Sequence, residues 1–561
     1  MAEKTVKRAA QTSDDKTFDV VVVGAGFAGL YALYHLRERG LSVCVCEAGS
    51  GVGGTWYWNR YPGARVDIES VEYSYSFSEE LQQEWNWTER YASQPELLKY
   101  ANHVADRFDL RRHIRLNTRV TSAAFSEAEN IWTIQTDKGS TLRATFCVMA
   151  TGFLSAPNKP AIPGLDRYSG KQFHSADWPN DGVNFSGKRV GVIGTGSSGI
   201  QMIPIIAQQA EHLYVFQRTA NFSIPLRNKP MHPEFQQSVK TNYPEWRRRE
   251  WEAPGGYVSV NFQMSEPQSA LALDVSHEER LTDFEYRWNS GGLCFYNSFP
   301  DLYTSREANS TLADFVRGKI HERVGDPAVA EALTPKSHPI LTKRLCADTG
   351  YFETFNRQNV TLVDLKKSPI EEITADGVKL QGGVEHKVDC LVFATGFDAV
   401  TGALTRMDIR GRNGLSIQSH WASGPRTYLG LMASGFPNLF IIDGPGSPGA
   451  FFHPILLSEY QVRWVGDCIS YLWQNGFASI EPSPDTEDRW VGHVNEVTNQ
   501  FLVSQVDSWY LGSNIPGKPR VPMMYIGGFK QYSGWCDKSA AEGYEDFCLT
   551  RTHASRTAAV S

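Results

Sequence analysis

The chain has 561 residues, enough for three or four domains at roughly 150 residues each. Its 55 Lys and Arg against 62 Asp and Glu leave a net charge of −7, which gives no electrostatic case for nucleic acid or an anionic membrane as the main partner. With 41% hydrophobic and 21% charged residues the composition excludes long disorder. No apolar run reaches the roughly 20 residues of a membrane-spanning helix.

Residues 1–17 are polar and mixed in charge, lack the apolar core of a secretory signal, and are expected to form a flexible tail. Phe18–Val23 then reads as a buried strand, Gly24–Gly29 as a glycine turn, and the following residues to Arg39 as a helix ending at Gly40. Gly24, Gly26 and Gly29 permit a tight turn and bring a pyrophosphate against the helix N-terminus, where free N–H groups and the helix dipole favour negative charge. Ser42–Glu47 is the next strand, and Glu47, 23 residues after Gly24, is placed to accept both hydroxyls of an adenosine ribose. Cys44 and Cys46 alternate within that strand and read as core. The nine cysteines are odd in number and include no C-x-x-C pair, which fits a reducing cytoplasm and argues against a disulfide framework or zinc ribbon.

The same grammar returns at Lys188–Ile193, Gly194–Gly199, a helix from Ile200 and a strand at His212–Gln217. Gln217 takes the offset that Glu47 has in the first unit, and Arg218 follows it. A cation in place of a carboxylate suits the 2′-phosphate of NADP. Two β-α-β units make the fold class α/β with two Rossmann-like dinucleotide-binding domains. Cys147–Gly152 and Leu391–Gly396 both run into Ala-Thr-Gly and suggest a nested layout. An FAD domain is expected at 18–153 and 397–547, with an NADP domain at 154–396 inserted in it and a second flexible tail at 548–561. A mostly helical insertion is expected at about 221–337, where Glu245–Trp251 and Asn309–Val324 read as charged helices. There the Arg247–Arg249 cluster, flanked by Glu245, Glu250 and Glu252, reads as a solvated helix face. FAD plus NADPH implies hydride transfer between them, and the missing redox-active cysteine pair excludes a disulfide reductase.

Two longer motifs, Gly53–Asp67 and Tyr168–Pro179, resemble the two fingerprints of the type I Baeyer–Villiger monooxygenases. Tyr168 stands where the family pattern has Phe. The resemblance runs from the first glycine turn to Tyr525–Gly528. Flavin-containing and N-hydroxylating monooxygenases share the glycine turns but lack the Trp-Pro ending of the histidine motif. The resemblance implies that NADPH reduces FAD, that dioxygen forms a flavin C4a-peroxide, and that this attacks a ketone to give an ester or lactone. It implies Arg344, in Thr342–Leu345, as the cation facing the peroxide and the adduct, with Asp67 orienting it. Lys343 would join Arg218 and Thr219 on the NADP 2′-phosphate, and Thr195, Gly196, Ser197, Ser198 and Gln201 would hold its pyrophosphate. Thr55, Trp56, Asp67 and Tyr73 are the implied flavin contacts, with Val120 on the adenine side.

By the same resemblance His174 governs domain motion, and Trp509, in Ser508–Lys518, sits on a loop that closes over NADP. Gly444–Pro454 and Phe153 are expected to line the ketone pocket, whose aromatic character favours an apolar, bulky or cyclic ketone. No metal ligands are expected, and a monomer without nucleic-acid or membrane partners is favoured. Two other readings stay open: an amine or sulfide monooxygenase, and a non-catalytic nucleotide-binding redox sensor, which would need neither Arg344 nor Asp67.

Overall fold

The computed structural model describes residues 17–258 and 268–551. The expected tail before Thr17, residues 552–561 and residues 259–267 of the expected helical insertion lie outside the described residues. The strand Thr17–Val23 begins one residue before the expected boundary and lies inside an eight-stranded sheet, parallel to Val43–Cys46 on one side and Thr141–Met149 on the other. Val20, Val21 and Val22 are fully buried, because a parallel strand covered on both faces needs apolar side chains on both. Val120–Ser126 and Ile131–Thr136 extend the sheet in antiparallel fashion. Asp408–Arg410 and Leu439–Ile441 then return to pair with Val120–Ser126 and Thr141–Met149.

Between these two visits the chain builds a second sheet of five parallel strands. Its order is Val360–Asp364, His212–Gln217, Arg189–Ile193, Cys390–Phe393 and Lys171–His174. The fold is therefore α/β, with one dinucleotide-binding unit inserted in the other.

The two units repeat one packing solution. Gly24 and Gly194 have φ of 107° and 114°, and a Cβ on either would collide with the carbonyl oxygen of Ala150 or Ala394. These are the alanines of the two Ala-Thr-Gly endings, so each glycine turn seats on the end of a neighbouring strand. A Cβ on Gly29 or Gly199, one helical turn later, would strike the carbonyl of Gly24 or Gly194.

Among the described residues, five helices lie between 233 and 333: Pro233–Thr241, Tyr243–Glu252, His277–Ser290, Arg306–Arg323 and Pro327–Leu333. Ser276 caps His277–Ser290 with a reciprocal Glu279 bond, and Ser305 and Asp326 cap the two helices after it. Phe222, Phe284, Trp288, Phe299, Leu312 and Leu345 share one of the hydrophobic cores there. The excursion closes where Cys346–Asp348 pairs in parallel with Ser223–Pro225, a register that fixes the residues just before Cys346. No described helix is long and apolar enough to cross a membrane.

Two expectations are corrected. Phe547–Arg551 is a strand antiparallel to Phe477–Pro482, so 548–551 belongs to the fold and not to a tail; Phe547 is buried beside Tyr428 and Tyr544 and anchors it. The Arg247–Arg249 cluster is not a single solvated face. Arg247 is buried and donates to Glu250 Oε2 and Ser74 Oγ at 2.7 Å each, and to the Glu72 carbonyl. Arg248 stays outside, between Glu245 and Glu252. Consecutive helical residues do not face the same way, so a run of three arginines must divide between core and solvent. Burial raises the pKa of Glu250 to about 7, although the Arg247 charge opposes the rise. Removing one partner of such a pair strands the other: Arg247→Ala should lower unfolding free energy by about 3–5 kcal/mol. Arg248→Ala should leave the thermal midpoint unchanged, and thermal unfolding of the two variants side by side checks both statements.

Candidate active site

The first glycine turn leads into the helix Phe27–Glu38, whose first turn holds no acidic residue and no side-chain cap. Its leading N–H groups are thus available to an anion, the arrangement a pyrophosphate needs. Glu47 is buried at the end of the adjoining strand, where Ala25 N and Gly49 N donate to its two carboxylate oxygens at 2.7 Å each. These bonds fix the carboxylate beside the turn and leave each oxygen a lone pair. Thr118 N donates to the Glu47 carbonyl, which brings the start of the strand containing Val120 alongside. Thr55 is exposed at the start of a single helical turn. Trp56 in the same turn meets Tyr73 edge-on, its Nε1 donating to the Tyr73 hydroxyl at 3.2 Å.

The second glycine turn is built alike. The helix Ser197–Gln209 has Gly196 as its N-cap and no acid in its first turn. A Cβ added at Gly196 would meet nothing within 4 Å, so open space lies in front of this helix end. Thr195 Oγ1 donates to the Thr219 carbonyl at 3.0 Å, and Ser197 Oγ lies 3.3 Å from Cys346 Sγ. Gln201 is engaged by the first fingerprint: its Oε1 accepts from Tyr61 at 2.8 Å and its Nε2 donates to the Arg65 carbonyl at 3.1 Å. Arg218 is exposed and Lys343 half-buried; burial and then the Arg218 charge lower the Lys343 pKa. Two like charges face each other there, and neither has an ion-pair partner among the described residues, a set of donors suited to a phosphate dianion.

Asp67, the last residue of the first fingerprint, meets Arg344. Its Oδ2 accepts from Arg344 Nη2 at 2.7 Å and from Nε at 3.2 Å, and Arg344 Nη1 reaches the Ala450 carbonyl at 3.5 Å. Burial alone would pull the Arg344 pKa down, but the Asp67 carboxylate outweighs it and holds the guanidinium charged. About a fifth of the side chain (22%) stays exposed, which leaves the cation open to a ligand.

Two further sets of contacts gather on the segments that join the two sheets. His174 Nε2 lies 3.3 Å from both the Asn158 carbonyl and Thr395 Oγ1, one on each crossing segment, while Ala176 N donates to its Nδ1. Burial lowers its pKa, which favours the neutral ring. Trp509 is half-buried against Tyr510 in a 3₁₀ turn. Downstream, Lys518 pairs with Asp398 at 2.7 Å and Asn514 donates to the Phe397 carbonyl at 2.8 Å, so this segment docks on the second crossing. Phe153 and Ala450 pack against the cluster of Val400, Val503, Tyr510 and Met524. Sequence reasoning gave no role to Tyr61, Lys518, Asp398 or the tyrosines near Arg344; Tyr61 lies inside the first fingerprint and Tyr510 and Lys518 inside Ser508–Lys518, whereas Asp398, Tyr257 and Tyr296 lie in no motif.

Residues 21–245 match the family model described as pyridine nucleotide-disulphide oxidoreductase. Over 97% of its length the chain is 43% identical to a Baeyer–Villiger monooxygenase of Pseudooceanicola batsensis, covering 99% of that protein. It superposes with a TM-score of 0.91 on an oxidized steroid monooxygenase bound to NADP, at 51% identity over 96% of this chain and 100% of that one. The TM-score is also 0.91 against OTEMO in complex with FAD and NADP, at 41% identity over 95% of this chain and 99% of that one.

The facing charges of Arg218 and Lys343 generate a prediction. Arg218→Ala should raise the requirement for NADPH by about 10- to 150-fold, the worth of a charge-assisted contact, and change that for NADH little. Steady-state kinetics with the two nucleotides checks this; equal weakening toward both would show that Arg218 does not read the 2′-phosphate.

Proposed function

The chain belongs to the Baeyer–Villiger monooxygenase family, and from that premise we propose that it uses FAD and NADPH to insert one oxygen atom of dioxygen beside a ketone carbonyl, giving an ester or lactone. The observation that carries this reading is the Asp67–Arg344 pair at 2.7 Å beside both nucleotide cradles. A nucleotide sensor would have no use for a fixed cation there. Bound FAD and NADPH supply the redox chemistry, and the protein's own task is to bind, orient and stabilise charge.

FAD fits the first glycine turn, with Glu47 on its ribose and the Trp56–Tyr73 pair toward its ring system. NADP fits the second, with its pyrophosphate on the helix Ser197–Gln209 and its 2′-phosphate between Arg218 and Lys343. Arg344 keeps its charge over the whole working pH range and can donate from a planar fork that lysine lacks. Asp67 takes two of those N–H groups and so sets the direction of the rest. The remaining N–H groups stabilise negative charge as it develops on oxygen during insertion, where such preorganised donors are worth about 10²–10³ in rate. The segment of Trp509 excludes water by closing over the nucleotide, anchored through Lys518 and Asn514. The nine cysteines, none in a disulfide, suit a reducing compartment.

Product analysis tests the reading against its nearest rival: a lactone from a cyclic ketone supports it, whereas an N-oxide from a tertiary amine with no lactone points to an amine monooxygenase. Two predictions separate the roles. Arg344→Ala should bind FAD and be reduced by NADPH but form no detectable ester; stopped-flow absorbance of the two half-reactions checks this, and ester at near the parent rate would remove Arg344 from the mechanism. Trp509→Ala should release hydrogen peroxide in place of ester, read as the ratio of ester formed to NADPH consumed; unchanged coupling would remove the lid role.

A further inference from the structure

The surroundings of Arg344 hold phenols as well as hydrocarbon. On one side Tyr296 accepts from Leu345 N at 3.2 Å, which seats it beside Arg344, and its ring lies 6.5 Å from that of Tyr257. On the other side the Ala450 carbonyl touches Arg344, and Phe451, the next residue, packs on Tyr510 with ring centroids 4.6 Å apart. Tyr257 is 9% exposed and Tyr510 3% exposed. Among the described residues no donor or acceptor pairs with either hydroxyl, yet both rings lie within electrostatic reach of the Arg344 guanidinium.

Neither oxygen is among the fully enclosed polar atoms that lack a partner, so each hydroxyl opens from a buried ring onto accessible space, and a ligand that displaces water there without offering a partner leaves it bare at a cost. A plain hydrocarbon ketone would use one oxygen at Arg344 and leave both phenols bare, and phenylalanine would serve such a substrate better at both positions. Burial raises both phenol pKa values, so the groups stay protonated and can donate as well as accept.

We propose that the preferred ketone carries a second oxygen function, a hydroxyl or a second carbonyl, which pairs with the hydroxyls of Tyr257 and Tyr510 while the reacting carbonyl lies at Arg344. This rests on the ketone-oxygenating reading above and narrows its substrate class. A site whose hydroxyls pair with the substrate discriminates against analogues that leave them unpaired.

The experiment compares kcat/KM for ester formation from cyclohexanone with that from 3- and 4-hydroxycyclohexanone and 1,4-cyclohexanedione, using the full chain loaded with FAD. At least one dioxygenated ketone should be preferred by roughly tenfold or more, the worth of a good hydrogen bond. In the double variant Tyr257→Phe, Tyr510→Phe the ratio should fall to near one, with the flavin absorbance spectrum and thermal midpoint retained. The dissociation constant of NADPH, taken from rapid flavin reduction, should stay the same in the variant. Equal use of all the ketones by the parent enzyme, or a preference that survives both substitutions, would overturn the proposal. Weakened NADPH binding with an unchanged ketone ratio would assign the hydroxyls to the nucleotide and overturn it too. Ester from cyclohexanone alone leaves the family reading intact while refuting the proposal, whereas no ester from any ketone would refute both.

Discussion

An arginine taken out of water between two nucleotide cradles needs a counter-charge, and the bond from Arg344 to Asp67 supplies it across 277 residues of chain. Desolvating a lone guanidinium carries a penalty of several kcal/mol, which a well-made ion pair offsets. That requirement organises much of the molecule. Asp67 follows the turn whose Arg65 carbonyl is held by Gln201, and Arg344 precedes Cys346, whose sulfur lies against Ser197. Both members of the pair are therefore referenced to the same helix, Ser197–Gln209, whose free N-terminus is suited to the NADP pyrophosphate. On the proposed reading, binding of the nucleotide and the aim of the cation would be linked through this one helix.

Charge is used differently at the other end of that nucleotide site. Burial and the charge of Arg218 both lower the Lys343 pKa, with Asp507 opposing them, and neither cation has an ion-pair partner among the described residues. The crossings between the sheets carry complementary devices. His174 touches both crossing segments, and the segment of Trp509 is tied to the second one through Lys518 and Asn514. A movement of one sheet relative to the other would have to alter these contacts.

Much of this was legible in the sequence because it is local. The glycine turns, the offsets of Glu47 and Gln217, and the two Ala-Thr-Gly endings are short patterns, and the collisions that a Cβ at Gly24 or Gly194 would make with a backbone carbonyl explain why those turns carry glycine. What escaped is long-range. Arg247 sits in a run of charge that reads as solvent-facing, and only its contacts with Ser74 and the Glu72 carbonyl, more than 170 residues away, show it buried. The terminal strand 547–551 depends on pairing with Phe477–Pro482, and nothing in its own five residues demands it. Tyr257, Tyr296 and Tyr510 meet from three separate segments and have no shared motif.

The central claim is that Asp67 acts on the reaction through Arg344. A double-mutant cycle on the rate of ester formation tests it, with Asp67→Asn, Arg344→Lys and the two combined. The account predicts non-additivity, an interaction energy of about 0.5–3 kcal/mol, because once either partner is altered the other has lost the bond that gives it effect. Effects that add to within about 0.5 kcal/mol would show that the two residues act independently, and would contradict it.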